Sequence, residues 1–161
     1  MASTTFSGPV TSTAGFISGS GSLVSATAAT LTCTSASHAG RTVVLDRAAG
    51  IAVTLPAATG SGNSYRFFVA TTITSNSTTV KVADATDIMA GVAIVANDSD
   101  ASASIFETAA DSDTITFNGT TTGGVKGATI ELQDVASNLW SVRVVGAATG
   151  TEATPFSATV S

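Results

Sequence analysis

The sequence predicts an all-β fold, an antiparallel sandwich or jelly-roll-like barrel with an extended N-terminal arm. Three observations lead there. From Thr42 onward, short runs rich in Val, Ile, Thr and Phe alternate with turns rich in Gly, Asn, Asp and Ser. Within those runs the charges sit between apolar neighbours: Lys81 between Val80 and Val82, Glu131 between Ile130 and Leu132, Arg143 between Val142 and Val144. That is the period of two expected of strands with one core face and one wet face. Finally, the chain contains no Asp, Glu, Lys or Arg from Met1 to Gly40, which divides it into an arm, residues 1–40, and a β domain, residues 41–161.

The arm comes first. Residues 1–30 are rich in Ser, Thr, Ala and Gly, with Phe6, Phe16, Ile17, Leu23 and Val24 as isolated apolar points, Pro9 as a stiffener and no helical period. So few core-forming side chains do not offset the entropy of ordering the segment by itself. Forty extended residues reach at most roughly 130 Å, far beyond the ~15 Å radius of gyration of a compact chain of this length. The arm is therefore expected to order on a neighbouring protein, with Phe6, Pro9, Val10, Phe16 and Ile17 as the candidate contact residues.

The β domain opens with a strand at 42–45, TVVL. A second follows at 51–56, where Ile51, Val53 and Leu55 alternate with Ala52 and Thr54 until Pro56 removes a ladder donor. The turn-rich loop 58–64 leads into a strand at 65–73, and another is expected at 78–83. In 83–96, Ile88, Val92 and Val95 have helical spacing, but Gly91 costs about 1 kcal/mol in a helix interior relative to Ala, so a turn followed by a strand at 92–96 is preferred. Further strands are expected at 104–108, 114–118, 128–134 and 139–145. A hairpin joining the last two through Ala136, Ser137 and Asn138 places Glu131 opposite Arg143 and Leu132 opposite Val142. The tail 151–161 either pairs as a strand or trails off.

Composition narrows the function. Charged residues are 11% of the 161 and aromatics 6%, with apolar content at 43%. The surplus is in small polar and small apolar residues, which bury thin layers and gain modestly per residue. Further burial against neighbours would help, so an oligomer or assembly is expected. A net charge of −5 lacks the basic footprint of nucleic-acid or anionic-membrane binding. No apolar run approaches a membrane span of ~20 residues, and no basic n-region or apolar h-region marks a cleaved export signal.

Catalytic chemistry is not expected. A Ser or Cys nucleophile needs a base in reach, and the one His, His38, lies five residues from the one Cys, Cys33, in the uncharged region. His38 reads as a surface or interface residue and Cys33 as a small buried apolar one. Asp98–Ser99–Asp100 and Asp111–Ser112–Asp113 present alternating carboxylates. Without the Gly and terminal Glu of a calcium loop they read as solvated turn ends, and no metal or other cofactor is expected. NGTTTGG, 118–124, lacks the GK[ST] of a phosphate loop and reads as a turn. Sequons at Asn76, Asn97 and Asn118 are chance matches in a Ser/Thr-rich chain.

Three segments, LDRAAGIAVTLPAATGSGNSYRFFV (45–69), SDTITFNGTTTGG (112–124) and ATIELQDVASNLWSVRVVG (128–146), resemble structural virion proteins of tailed bacteriophages, above all small head decoration or cement proteins. The carriers are an apolar strand ending in LPAATGSG followed by Tyr65, Arg66 and Phe67, and a hairpin built from Ile130, Glu131, Leu132, Asn138, Leu139 and Trp140. The resemblance implies a compact β homotrimer on the outer surface of the virion head, bound to the major capsid protein and clamping adjacent capsomers, and it carries no catalytic residues. An uncharged arm suits such a surface because burying Ser and Thr costs far less than burying Lys or Glu. The alternative is a head- or tail-fibre module that binds a host glycan through Tyr65 or Trp140, which requires one of those rings to be exposed. A fimbrial subunit and an enzyme rank below both.

Overall fold

The computed structural model describes residues 23–160. Twelve strands and one short helix follow in order: β1 (Leu23–Ala26), β2 (Thr30–Thr32), α1 (Ser35–His38), β3 (Thr42–Leu45), β4 (Ala52–Thr54), β5 (Ser64–Val69) and β6 (Thr78–Lys81). Then come β7 (Ile88–Ala96), β8 (Ala103–Glu107), β9 (Thr114–Phe117), β10 (Thr129–Ala136), β11 (Leu139–Ala147) and β12 (Phe156–Ser157). They form a seven-stranded sheet, β1-β3-β5-β10-β11-β7-β8, packed on a five-stranded sheet, β12-β9-β6-β4-β2. The all-β sandwich expected from the sequence is what forms.

Its strands are mixed in direction rather than antiparallel throughout. Up to β6, consecutive strands alternate between the sheets, so each pairs in parallel with the strand two further on: β1 with β3 and β3 with β5 in one sheet, β2 with β4 and β4 with β6 in the other. The loops 46–51, 55–63 and 70–77 thus cross the ~10 Å between sheets instead of reversing within one, and a strand of the opposite sheet serves as the long crossover that parallel pairing needs. From β7 on, hairpins take over, β7 with β8 and β10 with β11, while β9 and β12 complete the smaller sheet.

The core is two rows of inward side chains set by this register. Across the large sheet run Val24, Val43, Phe67, Ile130, Val144, Ala93 and Phe106. Across the small one run Leu31, Val53, Val80, Ile115 and Phe156. The central members are fully buried, whereas Val24, Leu31 and Phe106, on edge strands, are half-buried. Small side chains let backbones approach closely: a Cβ on Gly91 in β7 would lie 1.8 Å from the Val142 carbonyl oxygen of β11.

The boundary at residue 40 needs correction. Residues 23–40 are not part of a separate arm; they supply β1, β2 and α1 and bury Ala26, Cys33 and His38. The uncharged composition concealed this, because strands this short at the sheet edge need only one or two inward side chains each. The tail does pair, β12 lying antiparallel to β9. The expected hairpin register holds, Glu131 opposite Arg143 and Leu132 opposite Val142. Its turn residue Asn138 takes φ 62, a left-handed conformation that Asn tolerates.

Candidate functional site

The expected contact residues Phe6, Pro9, Val10, Phe16 and Ile17 lie outside the described residues. What the fold does assemble is a polar groove of about 520 Å³ on the outer face of the large sheet, crossed by β3, β5, β10 and β11. Register builds it. The outward row one position from the core row reads Thr42, Arg66, Glu131, Arg143, Val92, Glu107. Arg66 and Arg143 therefore flank Glu131 from neighbouring strands, and Arg41, Thr42, Ser64, Gln133 and Ser141 complete the lining. Arg66 Nε lies 3.7 Å from Glu131 Oε1, with both side chains about half exposed. This is the one ion pair among the described residues, so Arg41 and Arg143 carry charge into the groove without a carboxylate in contact. Three of the chain's six cationic residues thus meet one carboxylate here, on a molecule of net charge −5. Such a surface selects anions, and guanidinium groups favour planar carboxylates.

A second constellation lies at one end of the sandwich. Asp134 is buried, and its carboxylate collects the amides of Thr59 (3.0 Å), Gly60 (2.6 Å) and Ser61 (2.9 Å) together with the hydroxyls of Thr59 and Ser61. Burial works to raise its pKa, but the Ser61 hydroxyl and the amides of Ser61, Thr59 and Gly60 outweigh it and hold the carboxyl down to about 2. Buried Asp87 grips the same loop, accepting from the Ala58 amide at 3.0 Å. Its pKa is raised, chiefly by burial and further by the charges of Asp84 and Asp134. Asp134 was legible in principle: it follows Ile130 and Leu132 at a spacing of two, so it points inward and must find donors. With five, its acceptor capacity is used internally, and the arrangement is a clamp on the loop rather than a reactive centre.

The remaining chemical candidates separate. Cys33 is buried, and burial pushes its thiol up to about 12, so it stays protonated. His38, expected on the surface, is buried in α1, where its Nδ1 accepts from the Thr34 amide at 3.0 Å. Asp98 and Asp100 are exposed in the loop between β7 and β8. Of the other pair, Asp111 is exposed but Asp113 is not a solvated turn end. It is buried, and its carboxylate accepts from Thr114 Oγ1 and from the amides of Thr159 and Val160, fastening the tail that carries β12. Among the described residues no group of three His, Cys, Asp or Glu side chains converges as a metal site.

The rings proposed for glycan binding are both inside. Tyr65 is 2% exposed and Trp140 0%, packed edge to face with centroids 5.6 Å apart. Neither offers the stacking platform that reading required. Alternation explains why: each occupies an inward position, between outward Ser64 and Arg66 or between Leu139 and Ser141. No protein-family model matches the chain, and no curated protein or solved structure matches it at a significant level. No helix among the described residues is long and apolar enough to cross a membrane.

Proposed function

We propose that this protein is a structural component of a tailed-bacteriophage virion, a decoration or cement protein that binds the outer surface of the head as a homotrimer and stabilises contacts between capsomers of the major capsid protein. The observation that carries the reading is the charge-free stretch from Met1 to Gly40. Its described part, 23–40, ends both sheets at the same end of the sandwich, through the edge strands β1 and β2, with Leu23 65% exposed and Val24 and Leu31 half-buried. Edge strands are ordinarily shielded by Lys, Pro or inward charges, and this end has none of them. A surface of this kind suits close, dry contact with another polypeptide. The resemblance of residues 45–69, 112–124 and 128–146 to head decoration proteins points the same way.

The test is deletion of residues 1–22, which stops short of β1 and removes none of the described strands. The truncated protein is expected to keep its β circular dichroism and its cooperative melt while losing binding to purified heads in a sedimentation assay. Undiminished binding after that deletion overturns the proposed role of the leader.

A further inference from the structure

We propose that the arginine groove on the large sheet receives the acidic β7–β8 loop of a second copy of this chain. Within the groove Glu131 is matched by Arg66, which leaves two guanidinium groups, those of Arg41 and Arg143, without a carboxylate in contact. The exposed loop between β7 and β8 offers two carboxylates, Asp98 and Asp100, neither in an ion pair. Charge and number agree.

The spacing agrees as well. Arg41, just before β3, and Arg143, on β11, stand on either side of β5 and β10, about 14 Å apart at the backbone, and their long side chains can lean inward to bracket the two carboxylates of one tight loop. A single compact anion would leave one guanidinium unused. The loop is also held in shape before any contact: the Ser102 amide donates to Asp100 Oδ1 at 2.9 Å, Asn97 Nδ2 to Ser102 Oγ at 2.6 Å, and the Gly150 amide to Asp98 Oδ2 at 3.2 Å. Little ordering is left to oppose binding.

The two surfaces do not meet within one chain. β7 ends at Ala96 beside Ala147, four residues along β11 from Arg143, which is ~13 Å at the rise of a strand. The contact is therefore between copies and head-to-side, and heterologous contacts of this kind give a closed ring, such as the proposed trimer, when the rotation between copies closes. It stands whether or not the molecule belongs to a virion.

The experiment is mass measurement by light scattering and sedimentation on the full chain, with four proteins: wild type, Arg41→Glu/Arg143→Glu, Asp98→Arg/Asp100→Arg, and a variant that combines all four substitutions. Arg143, Asp98 and Asp100 are exposed and Arg41 is half-buried, and a thermal melt checks that each variant folds. Wild type is expected to associate at about 0.05 M salt and dissociate towards about 0.5 M. Each reversal alone is expected to weaken association at least about tenfold, and the two combined in one chain to regain it, since every copy then presents a reversed loop to a reversed groove. Should a reversal fail to fold, Arg41→Gln/Arg143→Gln and Asp98→Asn/Asp100→Asn give the same comparison without restoration. A wild-type monomer at every salt concentration, an oligomer unmoved by either change, or a folded four-site variant that stays dissociated each overturn the proposal. Loss of head binding with unchanged mass in the groove variant would assign the groove to another protein's acidic surface and likewise overturn it.

Discussion

Residues 23–81 and residues 88–157 build the same two sheets by different routes. The first half crosses from sheet to sheet after every strand and stacks three parallel rungs. The second half forms two hairpins in the large sheet, β7–β8 and β10–β11, joined by parallel pairing of β7 with β11, and crosses to the small sheet only for β9 and β12. In the rungs, position is held by stacked inward side chains such as Val24, Val43 and Phe67, so one layer depends on its neighbours. In the hairpins, the connecting turns set the register of each pair locally. Parallel rungs are thus the part that needs help from outside themselves, and the fold supplies it: Asp134 from the second half and Asp87 from the link just before it grip the loop that joins two rungs.

The sharpest difference in tolerance is expected at Gly91, where β7 runs against β11. A side chain there has no room beside the Val142 carbonyl. Gly91→Val is expected to destabilise by about 4 kcal/mol or more, close to the whole stability of a domain. In the rung half, a Cβ on Gly40 would meet nothing within 4 Å, but the residue holds φ 69, so Gly40→Ala is expected to cost only about 1 kcal/mol. Urea unfolding of the two variants checks the contrast, and equal losses would remove it.

Next in size is the clamp between the halves. Asp134→Ala leaves three loop amides without their acceptor and is expected to cost about 3 kcal/mol in urea unfolding. Because its pKa is depressed from 3.8 to about 2, the contribution of Asp134 is fully present above 3.8 and is lost as pH falls through that value towards 2. Asp134→Asn is expected to flatten that acid limb of the stability curve. An unchanged limb would mean that the clamp is not electrostatic.

How much of this was legible follows the same division. Alternation located nearly every strand after Thr42, and the hairpin register of Glu131 with Arg143 followed from turn length alone. Strand direction in the rungs did not, because a loop such as 55–63 reads the same whether it reverses a strand or carries it to the opposite sheet. β1 and β2 escaped notice since LVSA and TLT each place few apolar side chains inward. The groove needed one more fact, that β5 lies beside β10 and brings Arg66 to Glu131, a pairing between strands far apart in the chain.

A smaller effect separates the middle of the rung stack from its open end. Val53→Ala removes a fully buried side chain flanked by Leu31 and Val80 and is expected to cost about 2.5 kcal/mol. Val24→Ala, at the half-buried end, is expected to cost less than about 1 kcal/mol in the isolated protein. Attachment of a partner over that end would raise the second value towards the first, so thermal melts with and without heads turn the contrast into a readout of docking.

The smallest expected effect falls on the second grip, and its sign is opposite to that of the first. Asp87 has a raised pKa, so protonation favours the folded state: its contribution is fully present below the ordinary 3.8 and is lost as pH rises through the higher folded value. At neutral pH the cost of burying the charge therefore offsets part of what the Ala58 hydrogen bond contributes. Asp87→Asn keeps a carbonyl oxygen for that amide and removes the charge, so stability at neutral pH is expected to stay within about 1 kcal/mol of wild type, with a shift towards stabilisation. Urea midpoints measured from mildly acidic to neutral pH should show the decline with rising pH in the wild type and its absence in the variant. A loss beyond about 2 kcal/mol would show that the loop is held by two ionised carboxylates rather than by one charged and one readily neutralised.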